Sequence, residues 1–184
     1  MNLEQIENSL TTKIDLILSS NEETKLSAVL IVIFGKVPKI LMIKKPITMN
    51  YHGGEIAFPG GKISNEDYDL MDTAIRETNE ETGITITREQ IIGQLKPVTT
   101  LNSGFTILPF VCILDEINEL TPNSEVEEFL EIPLVPFLQT LTNDSDPEHN
   151  SIQEMYILTF DNKIIWGASA RMIKQITEKI TSHE

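Results

Sequence analysis

The sequence is short of cysteine, of basic residues and of long hydrophobic runs. Its single cysteine, Cys112, excludes a network of internal disulfides and is typical of a reducing compartment. Lys and Arg number 14 against 28 Asp and Glu, and the net charge of −14 argues against non-specific binding to nucleic acid or anionic lipid. No apolar stretch approaches the ~20 residues of a membrane span, and residues 1–10 do not resemble a signal peptide. We therefore expect a soluble, cytoplasmic protein with no nucleic-acid partner and no membrane partner.

What the sequence does contain is enough for one globular domain. Its 184 residues are 40% hydrophobic, which allows a single buried core. Apolar residues three and four positions apart predict helices over 3–20, 69–82 and 170–180. We expect one α+β domain over 1–184, an α/β/α sandwich with a mixed β-sheet. The predicted strands, the last two of which form a hairpin that turns at Asp161–Asn162, are 26–35, 36–45, 84–87, 91–95, 105–114, 155–160 and 163–167.

Two stretches carry loop signals instead. Residues 119–141 are predicted to be a loop with short helical pieces around Pro133 and Pro136. The polar tract 142–150 is predicted to be a surface loop, because it holds no apolar residue that a core would take up.

The segment 58–84, FPGGKISNEDYDLMDTAIRETNEETGI, joins a glycine turn to an acidic helix. Glu77, Glu80 and Glu81 stand at positions i, i+3 and i+4, so the helix presents three carboxylates on one face. Like charges at this spacing repel one another, whereas Mg²⁺ and Mn²⁺ prefer oxygen ligands. The pattern therefore indicates a metal site, with a merely solvated helix face as the alternative.

Neighbouring residues strengthen the metal interpretation. Arg76 can orient one of the carboxylates through a bidentate pair. Gly60 and Gly61 allow the backbone to approach a metal ion or a phosphate closely, because neither carries a β-carbon.

The segment resembles the Nudix box, the signature of hydrolases that cleave a diphosphate linkage between a nucleoside and another group. The box reads Gly, five residues, Glu, seven residues, Arg-Glu, an apolar residue, any residue, Glu-Glu, any residue, Gly, and an apolar residue. Here Gly61 opens it and 76–84, RETNEETGI, close it. Asp67 stands at the position of the first glutamate, with one extra residue before Arg76, and Thr78 takes the apolar position.

Residues upstream of the box resemble those of the subfamily that hydrolyses coenzyme A. The part Gly-x3-Phe-Pro-Gly-Gly is intact at 54–61, but Lys45 and Asn50 stand where the subfamily motif has arginines. The resemblance implies hydrolysis of coenzyme A or an acyl-coenzyme A to 3′,5′-ADP and 4′-phosphopantetheine or its acyl form. Two alternatives stay open: a diphosphatase for ADP-ribose, a dinucleotide or an oxidised nucleoside triphosphate, and a non-catalytic nucleotide sensor.

The resemblance also implies roles for individual residues. Water would attack one phosphorus of the diphosphate, with Mg²⁺ or Mn²⁺ neutralising the oxygens, and Glu125 is a candidate general base beside the box glutamates. His52, in the glycine loop, is a candidate substrate contact or a plain surface histidine. The substrate is a small nucleotide-type molecule, and a homodimer is compatible with the family. The expected catalytic residues are Arg76, Glu77, Glu80 and Glu81; the expected metal ligands are Glu77, Glu80, Glu81 and Gly61; the expected substrate contacts are Lys44, Lys45, Phe58 and Gly60.

Overall fold

The computed structural model describes residues 1–16, 25–49, 53–101, 103–145 and 155–182. A short 3-10 turn precedes the fifth strand. The remaining elements, in chain order, are α1 (Leu3–Leu10), β1 (Lys25–Phe34), β2 (Lys39–Lys44), β3 (Ile56–Ala57), β4 (Gly60–Lys62), α2 (Leu70–Thr82), β5 (Ile91–Gln94), β6 (Val98–Thr99), β7 (Phe105–Leu114), β8 (Glu128–Pro133), α3 (Leu134–Leu138), β9 (Thr142–Asn143), β10 (Tyr156–Phe160), β11 (Lys163–Ile165) and α4 (Gly167–Thr181).

The central sheet is mixed, as the sequence predicted. Strands β1 and β7 run parallel and pair along their whole length, from Lys25 opposite Phe105 to Phe34 opposite Leu114. The antiparallel strands β2 and β5 flank this pair in the order β3-β2-β1-β7-β5, while β4 pairs with β1, β6 with β7 and β8 with β2. A second, three-stranded sheet has the order β11-β10-β9.

Helices cover both faces of the central sheet. Side chains of a strand alternate between faces, and the alternation in β1 divides the core in two. Ala28, Leu30 and Val32 pack with α2 on one face, whereas Ile31 and Ile33 pack with α1 and α4 on the other. The predicted α/β/α sandwich is therefore confirmed.

Local signals fixed the ends of the middle helix and of the hairpin. Helix α2 begins after Asp69, whose carboxylate caps two backbone N–H groups, and it ends at Gly83 with φ +77°. Asp161 and Asn162 both have positive φ, which is the conformation of a two-residue hairpin turn. The helix predicted over 69–82 and the hairpin are both confirmed.

The first helix is shorter than predicted. The apolar spacing suggested 3–20, but α1 ends at Leu10 and residues 11–16 are not helical. Thr12 instead binds the edge of β5, since its hydroxyl donates to the carbonyl of Gln94 and accepts from the N–H of Gln94. These tertiary hydrogen bonds replace the helical ones. Residues 17–20 of the predicted helix lie outside the described residues.

One predicted strand is absent, and strands are present in two segments that were predicted to be loops. Residues 84–87 are not a strand: Ile84 and Ile86 are buried, but this segment pairs with no other strand among the described residues and leads into the 3-10 turn Arg88–Gln90. Within 119–141, the helical piece is α3, but the prediction missed β8, which pairs with β2. The predicted loop 142–150 begins with the short strand β9, and residues 146–150 lie outside the described residues.

Cys112 lies in the core of β7, as expected. It is completely buried, and burial raises the pKa of its thiol to about 12, so it is a packing residue and not a nucleophile. Within the described ranges, no helix has both the length and the apolar character that a bilayer crossing requires.

Candidate active site

Two glycines bring the backbone of β4 against both β1 and α2. Gly60 pairs with Val29 and Gly61 with Ala28. A β-carbon on Gly60 would collide with the carbonyl oxygen of Ala28, and one on Gly61 would collide with the carboxylate of Glu77. Both positions require glycine because neighbouring atoms already occupy the space of a side chain.

Glu77 directs its carboxylate at this turn. The carboxylate lies against Gly61 and accepts a hydrogen bond from Arg76 Nη1 at 2.9 Å, with 20% of the side chain exposed. Burial raises the pKa of Glu77 above its ordinary value, and two nearby carboxylates oppose the lowering effect of Arg76. Those two carboxylates are Glu80 and Glu125. A further cation beside Gly61 would stabilise the charged form of Glu77.

Glu81, one helical turn beyond Glu77, is buried with 2% of its side chain exposed. Its Oε2 accepts the N–H of Gly60 at 2.9 Å, and its Oε1 lies 3.4 Å from Lys45 Nζ. Burial raises the pKa of Glu81 to about 7, even though Lys45 and the N–H of Gly60 favour the charged carboxylate. The protein therefore keeps a carboxylate here that its own cations only partly compensate.

Glu80 differs from the other two glutamates of the box. Its side chain is 52% exposed, and among the described residues it pairs with Arg76, whose Nη1 donates to Glu80 Oε1 at 3.2 Å. The structure thus brings Glu77 and Glu81 to the glycine turn and leaves Glu80 at the rim. The three-carboxylate ligand set remains a prediction.

Asp67 holds Arg76 in place. Arg76 donates from Nε and Nη2 to the two oxygens of Asp67 at 2.8 and 3.0 Å, which is a bidentate pair. Asp67 also accepts the N–H of Ser64 and the hydroxyl of Thr73. Hydrogen bonding to Arg76 holds the pKa of Asp67 well below its usual range, so the carboxylate stays charged. Asp67 therefore binds Arg76 even though the box has aspartate in place of glutamate and one extra residue before the arginine.

Sequence reasoning gave Asp67 no role, and it missed Arg88 altogether. The signal for Asp67 was its position in the box, but nothing local pointed to Arg88. Arg88 donates two hydrogen bonds to the helix cap Asp69, at 2.7 and 3.0 Å, and also binds Asp72. The start of α2 is thereby tied to the 3-10 turn, which fixes how the helix carries its glutamates.

Of the two lysines predicted to contact the substrate, one lies in the candidate site and the other pairs with a glutamate outside it. Lys45 faces the site, because its ammonium lies 3.4 Å from Glu81 and 3.9 Å from Glu125. Lys44 instead pairs with Glu127, which raises the pKa of the lysine, and its carbonyl accepts the N–H of the same residue. Its ammonium is therefore occupied by a partner that is not one of the box glutamates.

Phe58, a predicted substrate contact, lies in the core. Only 2% of it is exposed, and its ring belongs to the core cluster on the α1 and α4 face of the sheet. Burial of the aromatic ring stabilises the core, so the structure favours a packing role for Phe58, and the substrate contact stays a prediction. Asn50 and His52 lie outside the described residues.

Glu125 reaches the site from a loop. Its N–H donates to Asn123 Oδ1 at 2.8 Å, and the next residue, Val126, is buried and anchors the loop. The carboxylate of Glu125 is 54% exposed and lies 3.9 Å from Lys45 Nζ. Its charge also raises the pKa of Glu77, so an acidic group stands opposite the box glutamates.

The donor set fits a divalent cation. Throughout the described parts of the chain, no three acidic, histidine or cysteine side chains are already gathered for a metal ion. The carboxylates of Glu77 and Glu81 are instead held in ion pairs by Arg76 and Lys45. Both carboxylates nevertheless have raised pKa values, and hard oxygen ligands beside a close-approach glycine backbone suit Mg²⁺ or Mn²⁺.

Solved structures share this fold at low sequence identity. A MutT/nudix family protein from Enterococcus faecalis has a TM-score of 0.63 and 15% identity, over 90% of this chain and 65% of that one. The NUDIX domain of Shewanella oneidensis NrtR, complexed with ADP ribose, has a TM-score of 0.60 and 15% identity, over 87% of this chain and 90% of that one. A bifunctional NMN adenylyltransferase/ADP ribose pyrophosphatase from Francisella tularensis, complexed with AMP and a Mn ion, has a TM-score of 0.56 and 16% identity, over 88% and 43%.

Sequence relatives are closer. The uncharacterized Nudix hydrolase NudL of Pectobacterium atrosepticum is 31% identical over 159 residues, covering 84% of this chain and 82% of that protein. NudL of Photorhabdus laumondii is 30% identical over 164 residues, covering 87% of each. Residues 24–155 match the model of the NUDIX domain. The chain therefore belongs to the Nudix hydrolase family.

Proposed function

We propose that this Nudix hydrolase cleaves the diphosphate bond of coenzyme A or an acyl-coenzyme A, giving 3′,5′-ADP and 4′-phosphopantetheine or its acyl form. Family membership supplies the coarser statement, which is hydrolysis of a nucleotide derivative by an enzyme class that generally uses divalent metal ions. The choice of coenzyme A and the residue roles below are the parts that need testing.

The observation that carries the proposal is the pair of inward glutamates at the glycine turn. Glu77 lies against Gly61, and Glu81 accepts the N–H of Gly60. Both have raised pKa values because burial disfavours their charge. The site is acidic and buried, and the backbone of the glycine turn approaches it closely. A diphosphate can bind there only together with cations, because phosphate and carboxylate charges would otherwise repel each other.

Bound Mg²⁺ or Mn²⁺ would be held by Glu77 and Glu81, with Glu80 and the carbonyl of Gly61 completing the set. When bound, the ions supply charge neutralisation of the diphosphate and acidify the attacking water. A bound ion would release Lys45 from Glu81 and Arg76 from Glu77, and Arg76 would keep its bidentate pair with Asp67. We propose that Lys45, so released, donates to a substrate phosphate oxygen, as a flexible ammonium can.

Glu125 is the proposed proton acceptor. It is exposed, it stands on a loop anchored by Val126, and it faces Lys45 and Glu77 across the site. A carboxylate in this place needs only to take a proton from a water that is already acidic. Because Glu125 lies at the open side of the site, it can do so without becoming part of the buried set.

Coenzyme A is favoured by the residues around the turn. The motif Gly-x3-Phe-Pro-Gly-Gly is intact at 54–61, and Lys45 takes the place of the first arginine of the subfamily and lies in the site. ADP-ribose is the second candidate, because a solved Nudix domain of the same fold binds it. At 15% identity that likeness speaks for the fold and not for the substrate of this chain.

The test is a substrate comparison with the purified protein in Mg²⁺ and in Mn²⁺. Coenzyme A, dephospho-coenzyme A, ADP-ribose, NADH and 8-oxo-dGTP are supplied at equal concentration, and kcat/KM is measured for each. We expect coenzyme A to give the highest value and to release 3′,5′-ADP. A higher value for ADP-ribose or 8-oxo-dGTP would reject the coenzyme A assignment, and no turnover without added metal is expected for any substrate.

A further inference from the structure

Glu127 bonds to the chain on both sides of Lys45, where strand β2 ends. The ladder between β2 and β8 stops at Lys44 opposite Glu128, one residue before Lys45. Beyond the ladder, the N–H of Glu127 donates to the carbonyl of Lys44 at 2.8 Å, and the carboxylate of Glu127 accepts a hydrogen bond from Lys44 Nζ. The same carboxylate accepts the N–H of Ile47. Glu127 therefore contacts the residue before Lys45 and the second residue after it.

The segment between these two contacts is stiff. Pro46 fixes its own φ and restricts the backbone of Lys45, the residue before it. A contact at Ile47 therefore also constrains Lys45. Burial does not fix Ile47, because 78% of this residue is exposed, so the polar contact with Glu127 matters more. The hydrogen bond from Lys44 and the N–H of Ile47 lower the pKa of Glu127, which keeps its carboxylate charged and able to accept both.

Lys45 is the cation of the candidate site that this arrangement carries. Its ammonium lies 3.4 Å from Glu81 Oε1 and 3.9 Å from Glu125 Oε2, and only 16% of its side chain is exposed. On the β3 edge of the strand, the backbone N–H and carbonyl of Lys45 bond to residues 54–55 at 2.9 and 3.0 Å. The strand end is thus held on one edge by the glycine loop and on the other by Glu127.

The segment that leads to Glu127 is itself anchored to helix α2. The N–H of Thr121 donates at 2.9 Å to the carbonyl of Thr82, the last residue of the helix. Carbonyls in the last turn of a helix have no partner within the helix, so this bond satisfies one of them. Residues 121–127 therefore run from the end of the helix that carries Glu81 to the end of β2, which sets the distance between these two elements.

From these contacts we infer that Glu127 is a positioning residue, which fixes the end of β2 so that the ammonium of Lys45 stands between Glu81 and Glu125. The inference rests on the proposed function, which gives Lys45 a contact with a substrate phosphate oxygen. It does not depend on which nucleotide is cleaved. Lys45 has to reach the phosphate from a backbone that stays in place, and a fixed backbone leaves less conformational freedom to lose when the substrate binds.

The test is a double-mutant cycle on kcat/KM, run with whichever nucleotide of the substrate comparison gives the highest value. Glu127→Ala should lower kcat/KM by about tenfold, since a misplacement of about 1 Å can cost on the order of 10²-fold. In a Lys45→Gln background the same change should cost less than about twofold, because the residue through which Glu127 acts is already gone. Glu127→Gln should keep most of the activity, because its amide oxygen can still accept from Lys44 and Ile47.

The matched control is Glu131→Ala. Glu131 is also a residue of β8 that pairs with a lysine of β2, but its partner, Lys39, lies at the other end of the ladder from Lys45. The control should change kcat/KM by less than about twofold, as is usual for an exposed ion pair away from a site. A loss as large as that of Glu127→Ala would overturn the inference, because any ion pair between these strands would then serve equally well.

A crystal structure of Glu127→Ala gives a readout that needs no turnover. We expect the ammonium of Lys45 to have moved out of ion-pair distance of Glu81, and we expect Glu127→Gln to keep it there. An unchanged position of Lys45 in Glu127→Ala would overturn the inference. If Lys45 has moved but the kinetic penalty is equally large in the Lys45→Gln background, Glu127 does position Lys45, and it is the proposed contact of Lys45 with the substrate phosphate that fails.

Discussion

The pKa values of the carboxylates at the two ends of helix α2 are shifted in opposite directions. At its start, Asp67 and Asp69 are bound by the guanidinium groups of Arg76 and Arg88. Hydrogen bonding to Arg76 lowers the pKa of Asp67, and the pKa of Asp69 is also lowered, because Arg88 and two backbone N–H groups outweigh its burial. In the second half of the helix, burial raises the pKa of both inward glutamates, Glu77 and Glu81.

The difference separates carboxylates whose charge is compensated by a guanidinium group from carboxylates whose charge burial disfavours. A paired and hydrogen-bonded carboxylate stabilises the folded state in its charged form. A buried carboxylate with too little positive charge nearby destabilises it, and such groups concentrate at functional sites. Removing a charge should therefore have opposite effects on stability at the two ends, with the larger effect on activity in the second half.

The largest expected effect is the loss of activity in Glu81→Gln. The amide keeps the size of the side chain but cannot bind a divalent ion as a carboxylate does. We expect kcat/KM to fall by about 10²–10³-fold, the range for removing one preorganised electrostatic group. Stability at pH 7 should stay equal or rise, because the buried charge is gone. Steady-state kinetics and thermal unfolding measure the two quantities.

A second readout of Glu81→Gln is independent of turnover. Mn²⁺ should raise the Tm of the wild type, since a ligand that binds the folded state stabilises it, and it should raise the Tm of the variant much less. The control is Glu131→Gln. Glu131 is an exposed residue of β8 that pairs with Lys39 of β2, so this variant removes a carboxylate far from the glycine turn. Wild-type hydrolysis by Glu81→Gln, or an undiminished response to Mn²⁺, would refute the metal assignment.

Gly61→Ala should come next in size. The new β-carbon would occupy the place of the Glu77 carboxylate and displace it. A misplacement of about 1 Å at a catalytic group can cost on the order of 10²-fold, so we expect kcat/KM to fall by about 10–100-fold with the fold intact. The control is the same substitution in a Glu77→Gln background, where most of the activity is already lost. A penalty of equal size there would show that Gly61 acts through something other than Glu77.

Asp67→Asn tests the carboxylates that precede the helix and should act mainly on stability. The variant leaves Arg76 without the carboxylate that holds it in a bidentate pair. We expect the free energy of unfolding at pH 7 to fall by about 2 kcal/mol, below the full cost of breaking a completely buried pair because Arg76 is partly exposed. Urea denaturation measures it. A variant as stable as the wild type would contradict the claim that the carboxylates at the start of the helix stabilise the fold.

The sequence was informative where one segment decides its own structure. Helix α2 follows from its apolar stripe, the cap at Asp69 and the stop at Gly83. Even the order of burial among the three glutamates follows from helical geometry. At about 100° per residue, Glu81 lies nearest the buried side chains of Ala74 and Thr78, and Glu80 lies farthest. The exposed fractions of 2% for Glu81, 20% for Glu77 and 52% for Glu80 agree with that order.

What could not be predicted depends on distant parts of the chain. Whether 84–87 forms a strand is decided by the presence of a neighbouring strand, which the local pattern of Ile84 and Ile86 does not reveal. Phe58 is buried where the chain leads into β4, which pairs with β1. Lys44 differs from Lys45 because Glu127, the residue before β8, forms an ion pair with Lys44. Each of these features depends on which strands pair and in which register, and a short segment of sequence does not determine that pairing.

The smallest effect, and the most direct check of the charge argument, is the pH dependence of Asp69→Asn. Asparagine keeps the helix cap, so the variant removes only the charge that faces Arg88. The pKa of Asp69 is lower in the folded state than the ~3.9 of an unfolded chain, so its contribution is complete above about pH 4–5 and is lost as the pH falls through the folded value. At pH 7 the wild type should be more stable by about 0.5–1 kcal/mol, the range for a partly exposed ion pair. Urea denaturation from pH 7 to pH 2 should show the two curves converging at the acid end, whereas a constant gap would mean that the charge of Asp69 contributes nothing and that hydrogen bonding alone secures the start of α2.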